Sequence, residues 1–276
     1  MNSEIKEHPV FGRSLFVDNG CVEIGIPLGY GIRVGHFSLC GEQNVFFEQP
    51  HDMTDLTTPE GWRVRGGHRI WIAPESEKVY CPDNAPISYA LFENGVEIFQ
   101  REDPWLHVKK SMRIKFLGGA EVEIVNRVEN TGDETLNCSV WAISSVAPGG
   151  TEELSFALRD GGYDHWHRIS MWDYTSLGDE RAEYRRDGIR LTHRPIEEKY
   201  KIGVGHPYGP VRYENNGVTF IKKFHVDTAK EYPDGNVSFE TFMCKHMVEI
   251  ESLSPLANVV PGETLEHCER WELVKG

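Results

Sequence analysis

The feature that most constrains this chain is the recurrence of short stretches in which apolar and polar residues alternate, each closed by a turn-forming residue. "GCVEIGIPLGYGIRVGHFSL", "ISYALFENGVEIFQ", "VKKSMRIKFLGGAEVEIVNRVENTGDETLNCSVWAISSV", "NGVTFIKKFHV" and "HMVEIESL" all have this form. A period of two is the signature of strands with one face buried. "LGG" reads as a hairpin turn between strands around Ile114 and Val122, and "NTGDE" as another between strands around Val125 and Val140. The one helical candidate is about a turn between Gly178 and Arg186. The fold class is therefore mainly β. No Pro/Gly/Ser-rich linker, low-complexity run or fixed repeat divides residues 1–276, so one continuous sandwich domain is expected.

Charge and cysteine content narrow the function classes. With 29 Lys plus Arg against 43 Asp plus Glu, the formal charge is −14. No basic run is long enough to track a phosphate backbone, which argues against nucleic acid as a partner. The start, "MNSEIKEHPVFGRSLF", has neither a basic nor an uninterrupted apolar region, and no stretch approaches the ~18 apolar residues of a membrane span. A cytoplasmic protein with no membrane partner is the expectation. Cys21, Cys40, Cys81, Cys138, Cys244 and Cys268 are scattered without a CxxC, which fits reduced core thiols better than a disulfide frame or a zinc site.

Three segments carry candidate chemistry. "VEIESL" puts Glu249 and Glu251 two residues apart, so both carboxylates point to one face of a strand and Val248 and Ile250 to the other. That face is either open water or the floor of a site. "WRVRGGHRIW" places His68 and Arg69 after Gly66 and Gly67, which allow backbone angles or close approaches that a side chain forbids. The planar donor fork of Arg69 suits hydroxyl or carboxylate oxygens, or else pairs with a structural acid such as Glu75. In "YDHWHRI", His165 and His167 have the i, i+2 spacing of two imidazoles on one side of a strand, but no third ligand stands in a motif-like relation to them, so no metal is expected. Trp141, Trp166 and Trp172 are candidates for stacking on sugar faces or for the core, and "GHPYGP" around His206 reads first as a turn.

Taken in order, these segments resemble the galactose mutarotase-like superfamily, which includes the aldose 1-epimerases. "VEIGIPLGYGIRVGHFSLCGEQNVFF" is similar to the family's opening strands. "GGHRIW" resembles the segment that carries Asn-Arg-Ile in epimerases, with Arg69 at the substrate-binding arginine and His68 at the asparagine. "VENTGDETLNCSVWAISS" is similar to the hairpin leading to the active site. "VEIESLSPLANVVPGETLEHCERWEL" is similar to the strand bearing the catalytic glutamate, then the Pro-Gly-Glu turn and the last strand. The resemblance covers most of the chain. It implies a single-domain β-supersandwich of the galactose mutarotase-like type with a small-molecule carbohydrate as ligand and no cofactor. Glu251 then falls at the catalytic base and Glu249 beside it.

One departure stands out. Where epimerases carry the histidine that supplies the general acid, this chain reads "WAISSVAPGG", with Ser144 and Ser145 near that position. Serine is no acid at neutral pH. The proton would have to come from His68, His165, His167 or His206, with His68 the first candidate. The expectation is thus an aldose 1-epimerase-like enzyme acting on a sugar or modified sugar. The alternative is a non-catalytic carbohydrate sensor on the same fold.

Overall fold

Side-chain alternation sorts the strands of the computed structural model, which describes residues 1–158 and 167–276, into three antiparallel sheets. Four strands near the N-terminus, Asn2–His8, Gly12–Asp18, Val22–Pro27 and His36–Leu39, form the smallest. A ten-stranded sheet includes Val108–Gly118, Glu121–Asn130, Val218–Phe224 and Thr264–Lys275. Along Glu121–Asn130 buried and half-buried positions alternate residue by residue, so only one face of that strand is packed.

The third sheet differs. It runs, from one edge to the other, through Arg168–Met171, Tyr200–Gly205, Phe239–Cys244, Met247–Leu253, Leu136–Val146, Gly67–Ala73 and Arg33–Val34. Every residue of Gly67–Ala73, Tyr200–Gly205 and Met247–Leu253 is buried, so both faces of these strands are covered. One face packs on the ten-stranded sheet. The other is roofed by loops. Between the sheets, Phe37, Phe46, Phe220 and Trp271 meet in edge-to-face and tilted pairs with ring centroids 5.6–6.2 Å apart, joining the four-stranded and ten-stranded sheets, and His68 of the third sheet packs edge-on against Trp271 at 4.6 Å.

The "LGG" hairpin forms as expected, with Gly118 and Gly119 both at positive φ. The "NTGDE" connection does not close a hairpin. Glu121–Asn130 pairs with Val108–Gly118 and Thr264–Lys275, whereas Leu136–Val146 pairs with strands of the other large sheet. The burial patterns give the reason: the first strand exposes a polar face and the second is buried at nearly every position, so they belong to different layers. Between Gly178 and Arg186 there are turns and the strand Ala182–Arg185, not a helix. That segment has no apolar stripe to bury, and its main chain pairs instead with Gly188–Thr192. The described helical structure is a single turn at Glu77–Tyr80, Pro233–Asn236 being a turn with Asp234 and Gly235 at positive φ, and no helix among the described residues is long and apolar enough to cross a membrane. All six thiols are free, but only Cys81, Cys138 and Cys244 are core; Cys21, Cys40 and Cys268 are exposed.

The inter-sheet core also holds a polar cluster. Lys222 Nζ, without solvent access, donates to Glu269 at 2.8 Å, to the carbonyls of Ala142 and Ile250 at 2.9 and 3.0 Å, and to Ser144 Oγ at 3.1 Å. Glu269 also accepts from Trp271 Nε1 and from Ser252 Oγ. Burial alone would raise the Glu269 carboxyl, but Lys222 and the neighbouring imidazoles hold it down at about 2. His68 bonds Ser144 Oγ through Nδ1 (2.9 Å) and Asn126 Oδ1 through Nε2 (3.1 Å), and burial pushes its pKa down to about 3 against the pull of Glu269.

His68 therefore stays neutral in the folded protein while an unfolded chain takes up a proton near pH 6.5. Its contribution to stability is present above pH 6.5 and is lost as pH falls toward the folded value. His68→Gln should consequently gain stability relative to wild type on going from pH 6.5 to pH 5, by about 2 kcal/mol at 1.36 kcal/mol per pKa unit. Urea melts at the two pH values test this; a pH-independent difference between the two proteins would mean that His68 is not held neutral.

Candidate functional site

Strand register brings charged residues from distant parts of the chain onto one face of the third sheet. Residues paired across strands share a face, so the sequence of partners Arg69, Ile143, Glu251, Glu240, Gly203 and Ser170 is one transverse row. Gly67, Ser145, Glu249, Phe242 and Lys201 form the next row. Glu249 and Glu251 do share a face, and Ile250 between them turns toward the core. That face is no open water: Glu251 is 1% exposed and Glu249 7%.

The glycine pair fixes how the Arg69 strand begins. Gly66 and Gly67 have φ of +90° and +70°, and a Cβ would lie 1.8 Å from the Phe47 carbonyl oxygen at Gly66 and 2.2 Å from that of Val34 at Gly67. Both readings of the Gly-Gly pair, special angles and close approach, thus apply together. Two residues later Arg69 Nη1 donates to Glu249 Oε1 at 2.7 Å and to Ser145 Oγ at 3.2 Å, while Ser145 Oγ donates to the same carboxylate oxygen at 2.8 Å. The structural partner of Arg69 is Glu249. Glu75 instead accepts from Tyr80 Oη.

A second charged group adjoins the first. Lys201 Nζ lies 2.8 Å from Glu240 Oε2 and 3.3 Å from Glu251 Oε2, and the indole Nε1 of Trp141 donates to the same Glu251 oxygen at 2.8 Å. Among the described residues Glu251 Oε1 has no hydrogen-bond partner. Burial raises the pKa of Glu251 and of Glu240 despite the lysine, and it works against the charge of Lys201, but the two carboxylates outweigh it and lift the lysine above its ordinary value. One cation between two buried acids cannot neutralise both. The group therefore binds protons more tightly than its parts would in water.

Above these charges is a cleft of about 380 Å³. Seven aromatic side chains line it: Trp62, Trp71, Tyr80, Trp141, Trp172, Tyr174 and Phe242. Arg69 lies over Trp71 (4.5 Å to the ring centroid), and Lys201 sits between Trp141 (4.4 Å) and Trp172 (4.5 Å). Arg69, Lys201, Glu249 and Glu75 reach its surface. Hydroxyl-binding charges beneath flat apolar rings suit a ring with polar edges and apolar C–H faces.

The candidates from sequence are not all brought together. Arg69, Glu249 and Trp141 line the cleft, with Glu251 directly beneath. His68, one residue from Arg69, is on the opposite face of its strand in the inter-sheet core, out of reach of the cleft. Its lowered pKa leaves it no proton to give at neutral pH. His206, at φ +63°, sits in a turn beside Tyr232 and does not line the cleft. His167 is exposed and stacks on Phe156 with centroids 4.1 Å apart. His165 and Trp166 lie outside the described residues. Sequence reasoning missed Lys201 and Glu240. Glu240 faces Glu251 because a two-residue turn, Lys245-His246, joins their strands, and that pair lacks the Asn-Gly or Gly-X signal of a tight hairpin. Lys201 comes from a strand some fifty residues away, and no local pattern announces it.

No protein-family profile and no curated protein matches the sequence. Solved structures do. The chain is similar to the Slr1438 protein from Synechocystis sp. PCC 6803, with TM-score 0.62, 11% identity and 95% of each chain covered. It is also similar to a galactose mutarotase-like protein from Lactobacillus casei, with TM-score 0.58, 9% identity and 95% and 100% covered, and to another from Clostridium acetobutylicum, with TM-score 0.57, 10% identity and 99% of both chains covered. This chain has the galactose mutarotase-like fold. In this chain the cleft occupies one face of a buried sheet, where loops rather than a second sheet complete the cover.

Removing Arg69 leaves a buried carboxylate without its cation, a change that costs about 3–5 kcal/mol in comparable settings. Arg69→Ala should destabilise by that amount, and Arg69→Ala combined with Glu249→Gln by clearly less than the sum of the two single changes. Denaturant unfolding of the four proteins closes this cycle; strict additivity would mean that the pair is not coupled.

Proposed function

We propose that the cleft binds a carbohydrate and interconverts its anomers, with Glu251 as base and Lys201 as proton donor. The observation that carries this reading is the contact between Glu251 and Lys201 at the floor of an aromatic-walled cleft. Glu251 takes the proton of the anomeric hydroxyl at Oε1, the oxygen that no described residue engages. Lys201 gives one to the ring oxygen as the bond from that oxygen to the anomeric carbon breaks, leaving the open-chain aldehyde. Once the open chain has turned the other face of its carbonyl to the hydroxyl, reclosure runs the same steps backward: Lys201 takes back the proton of the attacking hydroxyl and Glu251 returns its own to the carbonyl oxygen, which restores the ion pair. Lys201 is a poor acid while Glu251 is charged, because that charge helps to raise its pKa. Protonation of Glu251 removes this pull at the moment the donor is required. Arg69 and Glu249 hold sugar hydroxyls. The scheme needs no cofactor and assigns nothing to His68.

A second reading is a carbohydrate sensor without turnover. It is favoured by the near-complete burial of Glu251 and by the engagement of two of the cleft cations, Arg69 and Lys201, in ion pairs.

NMR exchange spectroscopy on aldoses that give saturation-transfer signals separates the two. Wild type should accelerate anomer exchange, Glu251→Gln and Lys201→Met should each lower the rate by about 10²–10⁴-fold, and Glu251→Gln should retain sugar affinity. Full activity in Glu251→Gln would remove it as base. Binding with exchange at the buffer rate would establish the sensor.

A further inference from the structure

Beyond the cleft, the same face of the sheet continues to its edge strand. The transverse row that holds Arg69, Glu251 and Glu240 goes on through Gly203, which offers no side chain, to Ser170 in Arg168–Met171. Above this end of the row is a second, more open compartment of about 420 Å³, lined by Ser170, Met171, Trp172, Asp173, Tyr174 and Asp234. Trp172 and Tyr174 line both compartments, so they are a partition within one groove.

The chemistry of the outer compartment repeats that of the inner one without its cations. Trp172, Tyr174 and Met171 supply apolar surface, Met171 and Tyr174 being 38% and 47% exposed. The carboxylates of Asp173 and Asp234 have no cationic partner among the described residues. Asp234 is held in place by its backbone: it lies at φ +53° in the turn Pro233–Asn236, and its carbonyl accepts from Ser170 Oγ at 2.7 Å. Two free carboxylates accept hydrogen bonds from hydroxyl groups and repel an anion. With a net charge of −14 on the chain, a phosphorylated or uronic group in this outer compartment meets no lining cation among the described residues to offset its charge.

We infer that the groove takes an uncharged oligosaccharide of at least two residues, its reducing-end sugar in the inner cleft and the next residue in the compartment formed by Trp172, Tyr174, Asp173 and Asp234. This inference rests on the reading of the inner cleft as a carbohydrate site and extends it. The inner cleft pairs a carboxylate with a cationic proton donor, as acting on an anomeric centre requires, whereas the outer compartment is lined by carboxylates without a cation, so the free anomeric carbon belongs inside and the rest of the ligand outside. Trp172 then stacks between two sugars, its ring on the path from one compartment to the other.

Calorimetric titration with glucose and galactose, and with maltose, cellobiose and lactose, tests the assignment. At least one disaccharide should bind ten-fold or more tightly than its reducing-end monosaccharide. Asp173→Ala combined with Asp234→Asn, the latter chosen because asparagine tolerates positive φ, should abolish that preference and leave the monosaccharide Kd unchanged. Disaccharides no tighter than monosaccharides, or a double variant that weakens both alike, would overturn the outer compartment while leaving the inner cleft intact as a sugar site. If neither sugars of one residue nor sugars of two bind, the carbohydrate reading of the inner cleft fails, and this inference fails with it. Glucose 6-phosphate is the charge control, and binding as tight as that of the disaccharides would overturn the uncharged class.

Discussion

Lys222 is the point on which the two large sheets depend. A lysine with no access to water must replace its whole hydration shell, and here Glu269, Ser144 and the carbonyls of Ala142 and Ile250 do so. Two of those partners are main-chain oxygens of adjacent strands in the cleft-bearing sheet. A single ammonium group contributed by the ten-stranded sheet thus fixes the spacing of the strands that carry Ile143 and Glu251 on their other face. Breaking such a buried group by removing one member is far more costly than its net contribution to stability, because the remaining charge is left without a partner. Its value to the molecule lies in register and layer spacing.

The cleft inherits this rigidity. Side chains at 249 and 251 point one way and the carbonyl of Ile250 is gripped from the other side of the sheet, so the carboxylates cannot drift without disturbing the core. Their charges are set by local pairing: Glu249 with Arg69, Glu251 and Glu240 with Lys201. Both groups are at most 9% exposed beneath the aromatic rings, and this low local dielectric strengthens each electrostatic contact.

How much of this is legible in the chain depends on the range of the interaction. Period-two alternation makes the strands visible, and the i, i+2 spacing of Glu249 and Glu251 correctly puts both on one face. The Gly66-Gly67 pair announces a constrained entry to the Arg69 strand. Alternation also places His68 opposite Arg69, a consequence as readable from sequence as the pairing of the glutamates, and it separates His68 from any group on the Arg69 side. By contrast the partition of strands into layers, which turns the "NTGDE" link into a crossing between sheets, depends on which faces find cover. Lys201 joins the site only through pairing with Phe239–Cys244, set by the whole sheet order. No window of sequence contains that information.

The paired charges beneath the cleft have a consequence for how such a chain diverges. Arg69 cannot change without Glu249, nor Lys201 without Glu240 and Glu251, since each single replacement strands a charge under a roof of indole rings. Strand positions outside this floor and the Lys222–Glu269 group need only keep their size and polarity. Drift along such a sequence is therefore uneven: the framework wanders freely while the floor of the cleft moves in linked steps or stays still. Two chains of this fold that share a tenth of their residues can superpose along nearly their whole length and still differ, as a block, in what that floor holds.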